Sequence, residues 1–187
     1  MPVMAESEQV PVRQAREGNP AAWDALFRRY QLPLFVYVFE LVHHEQTSLD
    51  IVQETFIAAV RHITGLRDDE KFASWLFGIA HQKCLLHWRK RGGKEILLDE
   101  LPDAPDESPD APDDVLIRSE QEAEFMNAIN QLPLPHRSVV LLHYIEDFSL
   151  EEIARVTETQ IGTVKSRLHY AKKSLRKILE AKNENAP

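Results

Sequence analysis

Residues 148–179 read FSLEEIARVTETQIGTVKSRLHYAKKSLRKIL, and they give the clearest local pattern in the chain. Ser149 followed by Glu152 is a capping-box pattern, which predicts that a short helix begins here and runs over residues 149–156. A few polar residues separate it from a longer helix, residues 161–181, in which apolar side chains recur every three or four positions. Two helices joined by so short a break predict a helix-turn-helix.

The second of these helices has a basic face opposite its apolar stripe. The stripe is Ile161, Val164, Leu168, Ala171, Leu175 and Ile178, and the other face carries Lys165, Ser166, His169, Tyr170, Lys172, Lys173 and Arg176. Lysine and arginine neutralise DNA phosphates, and neighbouring side chains can read base edges in the major groove. An amphipathic helix with a solvated basic face would show the same periodicity, so the pattern alone leaves both interpretations open.

The charge distribution divides the chain of 187 residues into two basic parts and an acidic spacer. The net charge is −8, but residues 95–124 contain twelve acidic residues and one basic residue, which leaves the rest of the chain at +3. Residues 101–115 also contain prolines 102, 105, 109 and 112, so an extended, solvated linker is predicted. The single cysteine, Cys84, allows no disulfide framework and fits a reducing, cytoplasmic compartment. No secretion signal or membrane-spanning run is predicted.

Helical periodicity dominates outside the linker, and an all-α protein is predicted. Pro33 lies inside one predicted helix and should kink or restart it. Besides the two C-terminal helices, the predicted helices cover residues 21–42, 48–62, 68–91, 115–131 and 135–146.

Residues 132–179 closely resemble region 4 of the RNA polymerase sigma factors, through LP..HR.V..L, SLEEIA and GTVKSRL.YA...L. In that family region 4 binds the −35 promoter element. Carried onto matching positions, the resemblance implies DNA contacts by Thr163, Lys165, Ser166, His169, Tyr170 and Lys172. Glu158 stands where a turn glycine is common in the family, and Thr157 stands where an apolar residue is usual.

Residues 13–91 resemble sigma region 2, through GNPAAWDALFRRY, DIVQETFIAAVRHI and FASWLFGIAHQKCLLHWRKR. Members of the family use the second motif to dock on the clamp helices of the polymerase β′ subunit. The resemblance therefore implies polymerase contacts by Asp50, Gln53 and Glu54. The third motif corresponds to the reader of the −10 element. It implies DNA contacts by His81, Gln82, Lys83, Arg89, Lys90 and Arg91, together with base contacts by the loop of residues 65–71.

The resemblance as a whole is to the two-domain extracytoplasmic-function (ECF) type of the sigma-70 family. It implies a region 2 bundle at residues 1–94, a linker at 95–115 and a region 4 helix-turn-helix domain at 116–187. The expected partners are core RNA polymerase through its β and β′ subunits, promoter DNA and an anti-sigma factor. No enzymatic activity and no cofactor are expected, since the chain shows no catalytic motif.

Two other interpretations compete with this one. His81, Cys84 and His87 invite a metal site, but steps of three residues rotate about 300° each around a helix, so the three side chains diverge. A stand-alone helix-turn-helix regulator with an N-terminal sensory domain would explain the C-terminal half equally well. It would not explain DIVQETF or FASWLFGIA.

Overall fold

The computed structural model describes residues 11–92 and 119–183, and side chains are described for residues 11–92 and 123–181. No strand occurs in these ranges, and the all-α prediction is confirmed. Two 3₁₀ turns, Ile63–Gly65 and Asp69–Lys71, lie between the third and fourth helices. The helices are α1 Val12–Arg16, α2 Pro20–Val42, α3 Glu45–His62, α4 Phe72–Lys90, α5 Ser119–Ile129, α6 Leu134–Tyr144, α7 Leu150–Thr157 and α8 Ile161–Asn183.

The chain divides into two compact units, Met1–Lys83 and Cys84–Pro187. The division falls inside α4, which is one continuous helix from Phe72 to Lys90. The predicted domain boundaries after residues 94 and 115, the acidic linker and the start predicted for α5 at residue 115 all lie outside the described residues.

The longest helix of the N-terminal unit, α2, is ordered by packing in spite of its proline. Asn19 caps it by accepting hydrogen bonds from the backbone of Ala21 and Ala22, and Pro20 occupies its first turn. The helix does not restart at Pro33. An interior proline costs about 3 kcal/mol, but Leu34, Tyr37 and Leu41 follow it and are completely buried or nearly so. Burial of side chains of this size is worth about 1.5–3 kcal/mol each, which outweighs the cost.

A short helix that the sequence pattern did not predict, α1, packs against α2. Val12 and Ala15 are buried, and the indole Nε1–H of Trp23 donates a hydrogen bond to the carbonyl of Ala15 at 3.0 Å. With five residues α1 is too short to show a helical period, so tertiary contacts alone reveal it.

The C-terminal unit is built on α8, against which α5, α6 and α7 pack. The predicted capping box of α7 is confirmed: Ser149 N–H donates to Glu152 Oε2 at 2.9 Å, and Glu152 N–H donates to Ser149 Oγ at 3.2 Å. Glu158 ends α7 with φ 52°, the left-handed conformation that glycine adopts most easily. The side chain of Arg137 closes the turn between α5 and α6 by donating to the carbonyls of Asn130 and Leu132, at 2.7 and 3.0 Å.

The buried stripe of α8 is shorter than predicted. Val164, Leu168, Ala171 and Leu175 are buried, which bears out the centre of the pattern. Ile161 is 39% exposed because it opens the helix, one turn before the contact with the other helices begins.

Candidate polymerase and nucleic-acid interfaces

The side chains predicted to contact polymerase lie together on the outer face of α3. Ile51, Val52, Thr55, Phe56 and Ala59 are buried, whereas Asp50, Gln53 and Glu54 are exposed. The buried hydroxyl of Thr55 is satisfied, since it donates to the carbonyl of Ile51 at 2.7 Å. Gln46, one turn earlier on α3, donates from Nε2 to Asp50 Oδ1 at 3.0 Å, which orients the carboxylate of Asp50 toward the start of the helix.

An open apolar groove adjoins this polar face between α2 and α3. Its volume is about 860 Å³, and Gln53 forms part of its wall. Five of the nine exposed large hydrophobic side chains among the described residues line it, and the ring of Phe27 meets that of Phe56 edge-on at 4.9 Å. A cluster of exposed apolar side chains rimmed by polar residues is a feature of protein interaction sites. The five side chains are Phe27, Leu32, Leu49, Ile57 and Val60.

No sequence pattern predicts this groove. Leu49, Ile57 and Val60 fall outside the buried stripe of α3, and apolar residues at exposed helix positions were the available signal. Phe27 and Leu32 come from α2, and no sequence spacing relates them to α3.

The residues predicted to bind the −10 element occupy different environments along α4. Arg89 and Lys90 are exposed at its end and Arg91 is exposed in the following turn, whereas Gln82 and Lys83 are partly buried. His81 is only 4% exposed, and its Nδ1 is 2.8 Å from the hydroxyl of Tyr37. His81 is therefore a core residue in this structure, because α4 turns this position toward α2.

Lys83 joins the two predicted sites of region 2. Its Nζ lies 2.9 Å from Glu54 Oε2, so a residue predicted to contact DNA is paired with one predicted to contact polymerase. The side chain of Lys83 is 27% exposed and that of Glu54 is 63% exposed. An ion pair this open to solvent is worth about 0–1 kcal/mol and can exchange for other partners.

None of the six residues predicted to bind the −35 element is buried. Lys165, His169 and Lys172 are exposed, and Thr163, Ser166 and Tyr170 are partly buried along the neighbouring side of α8. The hydroxyl of Ser166 donates to the carbonyl of Gly162 at 3.1 Å, which leaves its lone pairs for a donor on DNA. Lys173, Arg176 and Lys177 are also exposed on α8 and extend the basic surface. At the start of α8, the N–H of Val164 donates a hydrogen bond to the carbonyl of Gln160 at 3.1 Å.

Two family models match the chain, one over the N-terminal surfaces and one over the C-terminal surface. Residues 26–93 match Sigma-70 region 2, and residues 122–175 match Sigma-70 region 4. The RNA polymerase sigma-H factor of Pseudomonas aeruginosa is 31% identical over 183 residues, which cover 94% of this chain and 95% of that protein.

This chain belongs to the sigma-70 family.

Within that family it is an ECF-type sigma factor, a transcription initiation factor. The ECF RNA polymerase sigma-E factor of Haemophilus influenzae is 28% identical over 182 residues, covering 92% of this chain and 96% of that protein. The fold is shared with the sigma factor RpoE of Bartonella quintana, solved in complex with the anti-sigma factor NepR. That similarity has a TM-score of 0.60 at 23% identity and covers 83% of this chain and 96% of RpoE.

The matched regions contain all of the predicted site residues of the sigma factor. The α3 face, the apolar groove and the basic end of α4 lie in region 2, and the helix-turn-helix lies in region 4. Helix α1 precedes the region 2 match.

None of the helices in residues 11–92 and 119–183 is both long and apolar enough to cross a membrane. The same residues contain no group of three or more histidine, cysteine or acidic side chains that could hold a metal ion. Burial raises the pKa of the Cys84 thiol to about 12, which opposes the thiolate form that binds metals.

Proposed function

We propose that this sigma factor acts without catalysis, by docking on core RNA polymerase and presenting two DNA-binding surfaces to a promoter. Region 2 would open the −10 element, region 4 would hold the −35 duplex, and residues 95–115 would span the two domains, 1–94 and 116–187. The observation that carries the proposal is the α3 face, where three polar side chains lie exposed beside an apolar groove.

Polymerase docking is assigned to Asp50, Gln53 and Glu54, with the groove as the apolar part of the same interface. An interface that holds two proteins together needs a desolvated apolar centre and a polar rim. The groove supplies the centre, since Leu49 and Ile57 lie within one or two helix turns of the polar residues and are 47% and 44% exposed. The β′ subunit of core polymerase is the proposed partner, with the β subunit as a further contact of the bound factor.

Binding to the −10 element is assigned to Gln82, Lys83, Arg89, Lys90 and Arg91, and to the loop of residues 65–71. Melted DNA needs cations for its backbone and polar or aromatic groups for its bases. The three exposed cations at the end of α4 and in the turn that follows it meet the first need. His81 is left out of this set because its ring is buried and bonded to Tyr37.

Binding to the −35 element is assigned to Thr163, Lys165, Ser166, His169, Tyr170 and Lys172. The exposed lysines would contact phosphates, and the partly buried polar residues beside them would face base edges. The helix-turn-helix holds this face outward because the opposite side of α8 is buried against α6 and α7.

We also propose that the protein works in the cytoplasm, where polymerase and genomic DNA meet, and that an anti-sigma factor inhibits it. The complex of RpoE with NepR shows that a protein of this fold forms such an assembly. An inhibitor of this kind would cover the α3 face and groove, because polymerase needs the same surface.

The test is run-off transcription with purified bacterial core polymerase on a genomic fragment library, with and without the full chain. Sequence-specific initiation that depends on the chain is expected and would yield the −35 and −10 elements together. Gln53→Ala with Glu54→Ala should reduce core binding, whereas Glu45→Gln, an exposed acid at the start of the same helix, should not. Specific duplex binding without any stimulation of polymerase would contradict the proposal and favour a stand-alone regulator.

A further inference from the structure

The loop between α3 and α4 is held by a residue from the other end of the N-terminal unit. Arg16, on α1, donates from Nη2 to the carbonyl of Leu66 at 2.9 Å and forms an ion pair with the carboxylate of Asp69. These partners are 50 and 53 residues away in sequence. The two contacts bracket Arg67 and Asp68, so one guanidinium fixes both ends of the middle of the loop.

Helix α1, which carries Arg16, is held against α2 by packing and a hydrogen bond. Helix α1 is pinned by the buried side chains of Val12 and Ala15 and by the hydrogen bond from Trp23. The side chain of Arg16 is 29% exposed and that of Asp69 is 39% exposed, so the pair is partly shielded from water. A planar guanidinium that bonds two acceptors at once also has a defined direction, which a lysine ammonium lacks.

The loop has little regular structure of its own. It consists of two single 3₁₀ turns around residues 66–68, and Leu66 is its buried anchor. Asp68 accepts a hydrogen bond from the N–H of Glu70 at 3.1 Å and pairs with Lys71 at 3.1 Å, which shapes only the second turn. Thr64, Gly65 and Arg67 are exposed. The direction in which Arg67 points therefore depends on the contact from α1.

We propose that Arg16 is a positioning residue for −10 recognition: it holds the loop of residues 65–71 in the conformation that reads bases, without touching DNA itself. This inference rests on the proposed function of that loop. Arg16 lies outside the residues that match Sigma-70 region 2, so the family match assigns it no role.

The experiment compares promoter selectivity of full-length variants bound to core polymerase. Each base pair of the −10 element, and one of the −35 element, is substituted in turn, and run-off yield is divided by that from the intact promoter. Arg16→Ala removes both contacts, and Arg16→Lys keeps the charge. Arg13→Ala is the matched control, because Arg13 is a cation on the same helix whose side chain is 83% exposed and pairs only at 3.5 Å with Glu17.

A base pair that a protein reads is worth roughly 5- to 150-fold in affinity. For Arg16→Ala we expect discrimination at one or two −10 positions to fall by about fivefold or more, with −35 discrimination unchanged. Arg16→Lys should fall between this variant and the wild type, and Arg13→Ala should match the wild type. Full −10 discrimination by Arg16→Ala, or an equal loss at both elements, would overturn the inference.

A second variant covers the case in which Arg16→Ala does not initiate at all. Asp69→Asn removes the ion pair but keeps the bond from Arg16 to Leu66, so the loop retains one anchor. Reduced −10 discrimination that Asp69→Asn shares with Arg16→Lys supports the inference, because Arg16 lies outside the loop that is proposed to contact DNA, and unchanged discrimination by both variants overturns it. If the wild-type chain itself fails to direct initiation, the proposed function fails, which is a different result from either.

Discussion

The basic face of α8 makes a quantitative prediction about the salt dependence of promoter binding. Lys165 and Lys172 are both exposed, and they lie seven residues apart, which places them two turns apart on the same side of the helix. Changing both to glutamine removes two cations from the proposed −35 surface. The stripe Val164, Leu168, Ala171 and Leu175 stays intact, so the fold of region 4 should not change.

The magnitude follows from counterion release. Each phosphate that a cation neutralises contributes about 0.9 to the slope of log affinity against log salt, so the double variant should lose about 1.8 from that slope. If the two contacts vanish at about 1 M salt, this slope amounts to roughly a 30-fold loss of affinity at about 0.15 M salt. A 30-fold change corresponds to about 2 kcal/mol. The loss should be the same for every DNA sequence, because phosphate contacts carry no sequence information.

The assay is fluorescence anisotropy of a labelled promoter fragment titrated with reconstituted holoenzyme at several salt concentrations. Arg13→Gln with Arg28→Gln is the matched control: it removes the same charge, and both residues are exposed cations in local ion pairs with Glu17 and Asp24. The control should keep the wild-type slope. An unchanged slope for the α8 variant would refute the assignment of Lys165 and Lys172 to phosphates.

Three further perturbations have expected outcomes. Glu158→Gly should stabilise region 4 by roughly 1 kcal/mol, measured as a higher melting temperature, since glycine accepts the φ of 52° without strain. Burial, with Asp147 as a smaller cause, raises the pKa of Glu146 from 4.5 to about 7. The folded protein therefore keeps this proton to higher pH than the unfolded chain does, and its stability should fall as the pH rises from about 4.5 to 7. In Glu146→Gln the melting temperature should depend less on pH over this range. Glu54→Gln should release Lys83, strengthening binding of the free chain to single-stranded −10 DNA while weakening core binding.

Each of these predictions has a control in the chain. Arg155→Gly places glycine at an exposed position inside α7 and should destabilise region 4 by about 1 kcal/mol. If Arg155→Gly also stabilised region 4, the effect of Glu158→Gly would not be specific to the left-handed position. A melting temperature of Glu146→Gln that depends on pH as the wild type does would contradict the assignment to Glu146. Glu45→Gln, which changes the same charge on α3 without freeing Lys83, should alter neither binding reaction. Equal effects of Glu45→Gln and Glu54→Gln would point to net charge instead of the ion pair.

Local pattern was enough to predict a large part of this protein. The capping box of α7 and the buried centre of the α8 stripe both follow from spacing along a single helix. The motifs of regions 2 and 4 are also local, and the family matches confirm the resemblance that they carry. These features could be predicted because a helical period relates residues that are only three or four positions apart.

Contacts between distant residues could not be predicted in this way. Tyr37 and His81 form a buried hydrogen bond although they are 44 residues apart in sequence. Glu54 and Lys83 pair at a separation of 29 residues, and Arg16 donates to the carbonyl of Leu66 at a separation of 50. A periodic pattern says which face of a helix is buried, but it does not say which side chain on another helix will meet it. The helical class, the helix-turn-helix and the family are thus determined by sequence alone. The apolar groove, the core position of His81 and the anchor of the 65–71 loop are decided only when tertiary packing brings separate helices together.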